Sequence, residues 1–177
     1  MEAFWARGYE ATSMADLVSA TGINRGSIYA AFTDKHTLFV RALKHYDQHH
    51  RSDFLANIRR AHGPKEAILA VFRSAIASAD GERSRSGCLL VNTALELSPH
   101  DEEVDELIRA SFVELEGFFK SAIKDAQRDG DIDNNKDPVE TAQALLGLFL
   151  GLRVLSRSRP EKSLLNSISK QAAMLME

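Results

Sequence analysis

Two short helical stretches set around a single glycine, between Thr12 and Leu38, constrain the fold more than any other feature of the chain. The segment reads TSMADLVSATGINRGSIYAAFTDKHTL. Thr12 or Ser13 can cap a helix over Met14–Ala20, because a side-chain oxygen there satisfies backbone N–H groups that the first turn leaves open. Asp16, three residues after Ser13, suits the positive end of that helix dipole. Gly22 ends the stretch, and Asn24 caps a second helix over roughly Arg25–Phe32. Asp34 and Lys35 then open a long amphipathic run. Two short helices about a glycine turn form a helix-turn-helix unit, whose second helix has the form that enters a DNA major groove. Leu17, Ile23, Ile28 and Phe32 supply a small apolar core for the pair. Arg25, Gly26, Ser27, Tyr29 and Ala30 are left for the outer face. There Arg25 can read a guanine edge or pair with a phosphate, and Tyr29 can donate its hydroxyl to a phosphate.

No stretch downstream reads as a strand. The run from Asp34 reaches about Arg60, with Leu38, Phe39, Ala42, Leu43, Tyr46 and Phe54 at helical spacings. Further helices follow over Lys65–Ala79, Cys88–Leu97 and Asp101–Arg128, then from Pro138 through Val139–Ser156, and from Pro160 to the end. Polar loops are expected over Asp80–Gly87 and Asp129–Asp137. Four prolines and ten glycines in 177 residues agree with a helical chain. The fold class is therefore all-α: a helix-turn-helix head over residues 1–46 and a helical body over 47–177. The first helix, Met1–Arg7 stopped by Gly8, is short enough to read as truncated.

Charge limits how such a head can work. The chain carries a net charge of -3, and within residues 1–50 Arg7, Arg25, Lys35, Arg41 and Lys44 are balanced by Glu2, Glu10, Asp16, Asp34 and Asp47. Any DNA binding must come from the placement of a few groups and not from bulk charge. One cysteine in the whole chain excludes an internal disulfide framework and fits a reducing cytoplasm. No basic stretch followed by an apolar one opens the chain. The most apolar window, Ala142–Leu155, is interrupted by Arg153 and reads as too short for a bilayer. A cytoplasmic protein without a membrane partner is expected.

The head resembles the TetR family of bacterial one-component regulators. The resemblance rests on RGYEATSM at 7–14, TGINRGSIYAAF at 21–32 and DKHTLF at 34–39; beyond residue 50 only the helical rhythm and GCLLVNTALEL at 87–97 look similar. It implies that Ser13 touches a phosphate from the start of its helix and that Asn24, Arg25, Gly26, Ser27 and Tyr29 lie in or against the major groove. Lys35 would clamp another phosphate. Val18 stands where relatives hold a small alanine. The resemblance further implies a homodimer on a pseudo-palindromic double-stranded operator, with a repressor released by a small molecule or by an oxidant or electrophile. A helical binding dimer that has lost DNA binding is the alternative. An enzyme is not expected, because no nucleophile, base and orienting group come together in the sequence.

In the body, Cys88, Asn92, Thr93, Glu96, Phe112 and Phe119 are the candidates for contact with a signal. The aromatic residues can line a pocket or simply make core, and Glu96 can serve a ligand or pair internally. Cys88, at a helix start after Arg83 and Arg85, reads either as a thiol with raised thiolate fraction or as a small buried hydrophobe. For the dimer interface, Gly147 and Gly151 permit close helix approach beside a stripe of Leu145, Leu146, Phe149 and Leu152. His45 and His49 are spaced as metal ligands could be, but no third ligand has matching spacing, so no metal or other cofactor is expected.

Overall fold

The computed structural model describes residues 1–79 and 86–177, and every regular element among them is helical. Helix α1 (Glu2–Arg7) ends at Gly8, whose φ of 85° and ψ of 177° lie where only glycine is at ease. Helix α2 (Met14–Thr21) starts in a capping box: Ser13 Oγ accepts from Asp16 N–H, and the Asp16 carboxylate accepts from Ser13 N–H. Gly22, left-handed at φ 69°, turns the chain, and Asn24 caps α3 (Arg25–Ala31) by accepting from Ser27 N–H at 2.9 Å. Asp34 does the same for α4 (Lys35–Tyr46) through Thr37 N–H. The starts of α2, α3 and α4 and the turn at Gly22 thus come from short-range chemistry.

The long run from Lys35 does not stay in one phase. A π-helical stretch, Asp47–Ser52, separates α4 from α5 (Asp53–Ala61). Its wider turn shifts the helical phase, so α4 faces one apolar cluster through Phe39, Val40, Leu43 and Tyr46 while α5 faces another through Leu55. Then come α6 (Pro64–Ala77), α7 (Leu89–Glu96) and a 3-10 turn at Ser98–His100. The last three are α8 (Glu102–Asp129), α9 (Pro138–Ser158) and α10 (Lys162–Met174). The acids at the start of α8 serve its N-terminus: Asp101 caps through Val104 N–H, and Asp105 is held by Ser98 and Arg109.

The two clusters do not divide at the boundary between residues 46 and 47. The one around α1–α4 takes in Leu89, Leu90 and Leu97 of α7 and its end, and Val104 and Ile108 of α8. The other holds α5, α6, the later part of α8, α9 and α10 around Phe72, Phe119, Ile123 and Leu145. The head is therefore seated on the body through shared core.

Three expectations need correction. Ile23 does not join Leu17, Ile28 and Phe32 in the head core; it is 48% exposed, because it sits in the turn between Gly22 and the Asn24 cap. Leu145 and Leu152 offer no exposed stripe, being fully buried in the chain's own core, and half-buried Phe149 packs edge-on to Phe72 and Phe119. Finally, α9 runs 21 residues with a mean hydropathy of 1.3 over its most apolar window, so length does not set it apart from a membrane span. Its packing against α6, α7, α8 and α10 places it in the bundle.

Candidate nucleic-acid interface and the cavity behind it

Helix α3 presents a consistent outer face. Ile28 points inward at 4% exposure, and Arg25, Gly26, Ser27, Tyr29 and Ala30 are all exposed. Arg25 lies along the same face as Tyr29, with its guanidinium 5.5 Å from the ring centroid and Nη2 3.4 Å from the hydroxyl. A β-carbon on Gly26 would meet the capping oxygen of Asn24 at 3.4 Å, an ordinary contact distance. The Asn24 oxygen is occupied by Ser27 N–H, which leaves its amide N–H groups as donors.

The flanking candidates are engaged within the head. Ser13 Oγ donates to Asp16 at 2.5 Å besides accepting the cap bond, and Arg7 pairs with Asp16 at 2.6 Å, tying α1 to α2. Lys35 Nζ donates to Tyr9 O at 2.9 Å and lies 4.2 Å from the Tyr9 ring centroid. That contact fastens the start of α4 to the segment between α1 and α2.

Behind this face runs a joint that the sequence does not advertise. Glu96, at the end of α7, accepts from Tyr9 N–H at 3.1 Å and from Glu10 N–H at 2.9 Å. Gly8 makes room for it, since a β-carbon there would lie 2.5 Å from Glu96 Oε2. His36 meets Asp101 at 2.7 Å, and Lys44 reaches Glu103 at 3.3 Å. Trp5 Nε1–H donates to Gly87 O at 3.1 Å, a carbonyl that also accepts from Arg153 of α9 at 3.0 Å.

Next to the joint lies a cavity of about 290 Å3. Its walls include Trp5 of α1, Tyr46 of α4, His50 and Arg51 of the π stretch, Cys88, Phe112, Phe149 and Arg153. Among the candidates for contact with a signal, Cys88 and Phe112 line it, as does Phe149, expected at a dimer interface. Asn92, Thr93, Glu96 and Phe119 do not: Asn92 donates to Ser86 O, Thr93 is buried, Glu96 belongs to the joint and Phe119 to the deeper core. Cys88 Sγ lies 3.7 Å from Tyr46 Oη. Burial first, then the neighbouring Cys88, pushes the Tyr46 phenol well above its usual range, so it stays a neutral hydroxyl. Arg83 and Arg85, expected beside Cys88, lie outside the described residues. Trp5 and Arg153 escaped the sequence reading because their partners are 82 and 66 residues away along the chain.

A capped two-helix unit with a polar outer face, seated on an all-helical body, defines a helix-turn-helix DNA-binding transcription regulator. Residues 1–42 match the bacterial regulatory proteins of the tetR family, and residues 64–170 match the tetracyclin repressor-like C-terminal domain. The chain belongs to the TetR family. It is 30% identical over 158 residues to the HTH-type transcriptional repressor ComR of Escherichia coli (strain K12), covering 89% of this chain and 75% of ComR. Over 134 residues it is 32% identical to the uncharacterized HTH-type transcriptional regulator YezE of Bacillus subtilis (strain 168), covering 75% of this chain and 69% of YezE. Among solved structures, a cysteine mutant of the TetR family regulator CifR in complex with 26-bp double-stranded operator DNA superposes with a TM-score of 0.84. Identity is 30%, and the match covers 97% of this chain and 90% of that one. The similarity is to transcription regulators, so the chain is a DNA-binding transcription regulator.

Proposed function

We propose that two copies of this chain bind a pseudo-palindromic operator as a repressor, each laying the outer face of α3 in a major groove. The exposed Arg25–Tyr29 face on a buried Ile28 is the observation that carries this reading. Arg25 reads base edges, and Asn24, Gly26 and Ser27 bring the start of α3 close to the groove floor. Ser13, Tyr29 and Lys35 hold phosphates; for Lys35 this requires its ammonium to leave the Tyr9 carbonyl or to bridge carbonyl and phosphate. The head ends near Tyr46 and the body begins at the π stretch.

The dimer uses the outward side of α9, where Gln143, Ala144, Gly147, Gly151 and Val154 are exposed; small residues there let helices approach closely. A small molecule entering the cavity is the signal. Trp5 and Tyr46 belong to head helices and line that cavity, so an occupant acts on the head by direct contact. The protein works in the cytoplasm. A second reading of the signal is an electrophile or oxidant acting at Cys88, supported by the opening of its half-buried thiol onto the cavity. If such a reagent changed the operator affinity of wild type and Cys88→Ala alike, that second reading would be lost.

Titration of fluorescent duplexes, specific and scrambled, at two salt concentrations tests the main reading. Arg25→Ala should cost about 1–3 kcal/mol on the specific duplex and relax preference at one position per half-site. Lys35→Ala should weaken both duplexes alike and flatten the salt slope by about one unit per head. A wild-type protein unable to tell the two duplexes apart would sink the operator-binding proposal.

A further inference from the structure

Among the described residues, the cavity walls carry the guanidinium groups of Arg51 and Arg153 and no aspartate or glutamate carboxylate. Arg51 is already neutralised, by Asp47 and by Glu114. Arg153 is different. It is half-buried, its Nη1 donates to Ser78 Oγ at 2.9 Å and its Nη2 to Gly87 O at 3.0 Å, both neutral acceptors. Among the described residues no carboxylate lies within ion-pair distance of it. A guanidinium held beside apolar walls by neutral oxygens gains most from an anion, and its planar fork matches a carboxylate in particular.

The remaining walls select a flat apolar body. Trp5 and Tyr46 meet edge to face at 5.0 Å between ring centroids, and Phe112 and Phe149 complete the aromatic lining. Aromatic walls favour a ring that can stack or meet them edge-on. The volume of about 290 Å3 sits at the small end of ligand pockets, roughly 300–1,000 Å3. Gly87 adds a route outward. Its carbonyl accepts from both Arg153 and Trp5, so a group that draws Arg153 away also changes what holds Trp5 on α1.

We propose that the cavity takes a compact aromatic carboxylate, with its acid group on Arg153, and that this contact loosens the Gly87 carbonyl that fastens Trp5. The inference rests on the reading of the cavity as the signal site. Trp5 is the only tryptophan in the chain, so its fluorescence reports on this cavity alone. The probes are 4-isopropylbenzoate and its neutral isostere 4-isopropylbenzamide, titrated by Trp5 fluorescence and by calorimetry. The acid should bind tighter than the amide by about tenfold or more, the size expected for hydrogen bonds to a charged group. Arg153→Gln should bring the two compounds within about twofold of each other, and Arg153→Lys should keep part of the preference. Thermal unfolding of each variant shows whether the fold survives, and the lysine variant carries the test if the glutamine one does not fold. Amide binding equal to acid binding, or no binding of either, overturns the aromatic carboxylate. Acid binding with the predicted preference but no change in operator affinity upholds the ligand class and overturns the signal-site reading instead.

Discussion

The reading face of the head and the joint beneath it are built by opposite means. On the face, every boundary is set within a few residues: Ser13 with Asp16, Asn24 with Ser27, Asp34 with Thr37. In the joint, every contact is long-range: Glu96 with the Tyr9 and Glu10 amides, His36 with Asp101, Trp5 with Gly87. Local caps make α3 a rigid reader whatever the body does. Long-range contacts make the head's seat depend on the body, and the cavity opens at that seat. A regulator needs both properties, and here they lie in separate sets of residues.

The two glycines that bound α1 and α2 offer the largest test of this contrast. Gly8 and Gly22 both have positive φ, but their ψ values of 177° and 4° differ in consequence. The Gly22 conformation is the left-handed cap that asparagine tolerates, with nothing within 4 Å of an added β-carbon. The Gly8 conformation belongs to glycine almost alone, and a β-carbon there collides with Glu96. Gly8→Asn should therefore destabilise the protein by about 1–3 kcal/mol from backbone strain, plus the displaced carboxylate. At roughly 2–4 °C of Tm per kcal/mol for a chain of this size, calorimetry resolves it easily. Gly22→Asn should be close to neutral. Equal losses for the two variants would erase the distinction between face and joint.

A smaller effect separates two side-chain acceptors. Glu96→Ala removes the partner of two backbone N–H groups across the joint and should cost ~1.5 kcal/mol, at the low end for a charged acceptor because water reaches Glu10. Asn24→Ala removes a local cap and should cost about 1 kcal/mol. Their signatures differ more than their sizes. Amide exchange should speed up at Tyr9 and Glu10 in the first variant and at Ser27 in the second, with neither pattern spreading to the other region.

The same contrast explains what could be read before the structure. Capping residues stand next to the helices they start, so Ser13, Asn24 and Asp34 declare α2, α3 and α4 in the sequence, and the outward set on α3 follows from Ile28 turning in. Ile23 misled because an apolar residue in a tight turn looks like core when only its neighbours along the chain are considered. Glu96 could be read as a ligand contact or as an internal partner, since nothing near residue 96 shows that the amides of residues 9 and 10 will arrive there. Leu145 and Leu152 looked like interface because an apolar helix declares that it is buried, never by which neighbour; α6, α8 and α10 had already taken that side. Trp5 and Arg153 carry no local pattern, and only folding brings both to the carbonyl of Gly87.

Acid supplies the smallest test, because it acts on some caps of the face and spares one. The Ser13 hydroxyl and amide, followed by Arg7, hold the Asp16 carboxyl below its ordinary range. Asp34 is held down chiefly by the Thr37 amide. A carboxyl whose pKa is lower in the folded than in the unfolded chain leaves the unfolded state binding more protons, so its contribution to stability grows with pH. That contribution is complete above the unfolded value near 4 and is lost as pH falls through the depressed folded values. Asn24 does not ionise, so the α3 cap has no such dependence. Asp34 is exposed and Asp16 half-exposed, and the loss should appear as local fraying of α2 and α4 ahead of any global transition. Amide exchange followed from pH 6 to pH 3, corrected for the intrinsic pH dependence of exchange, should show protection falling at Ser13 and Thr37 and holding at Ser27. Protection lost at Ser27 together with the other two would mean that the reading helix leans on its neighbours' caps, and that the face is one cooperative unit instead of three independently capped helices.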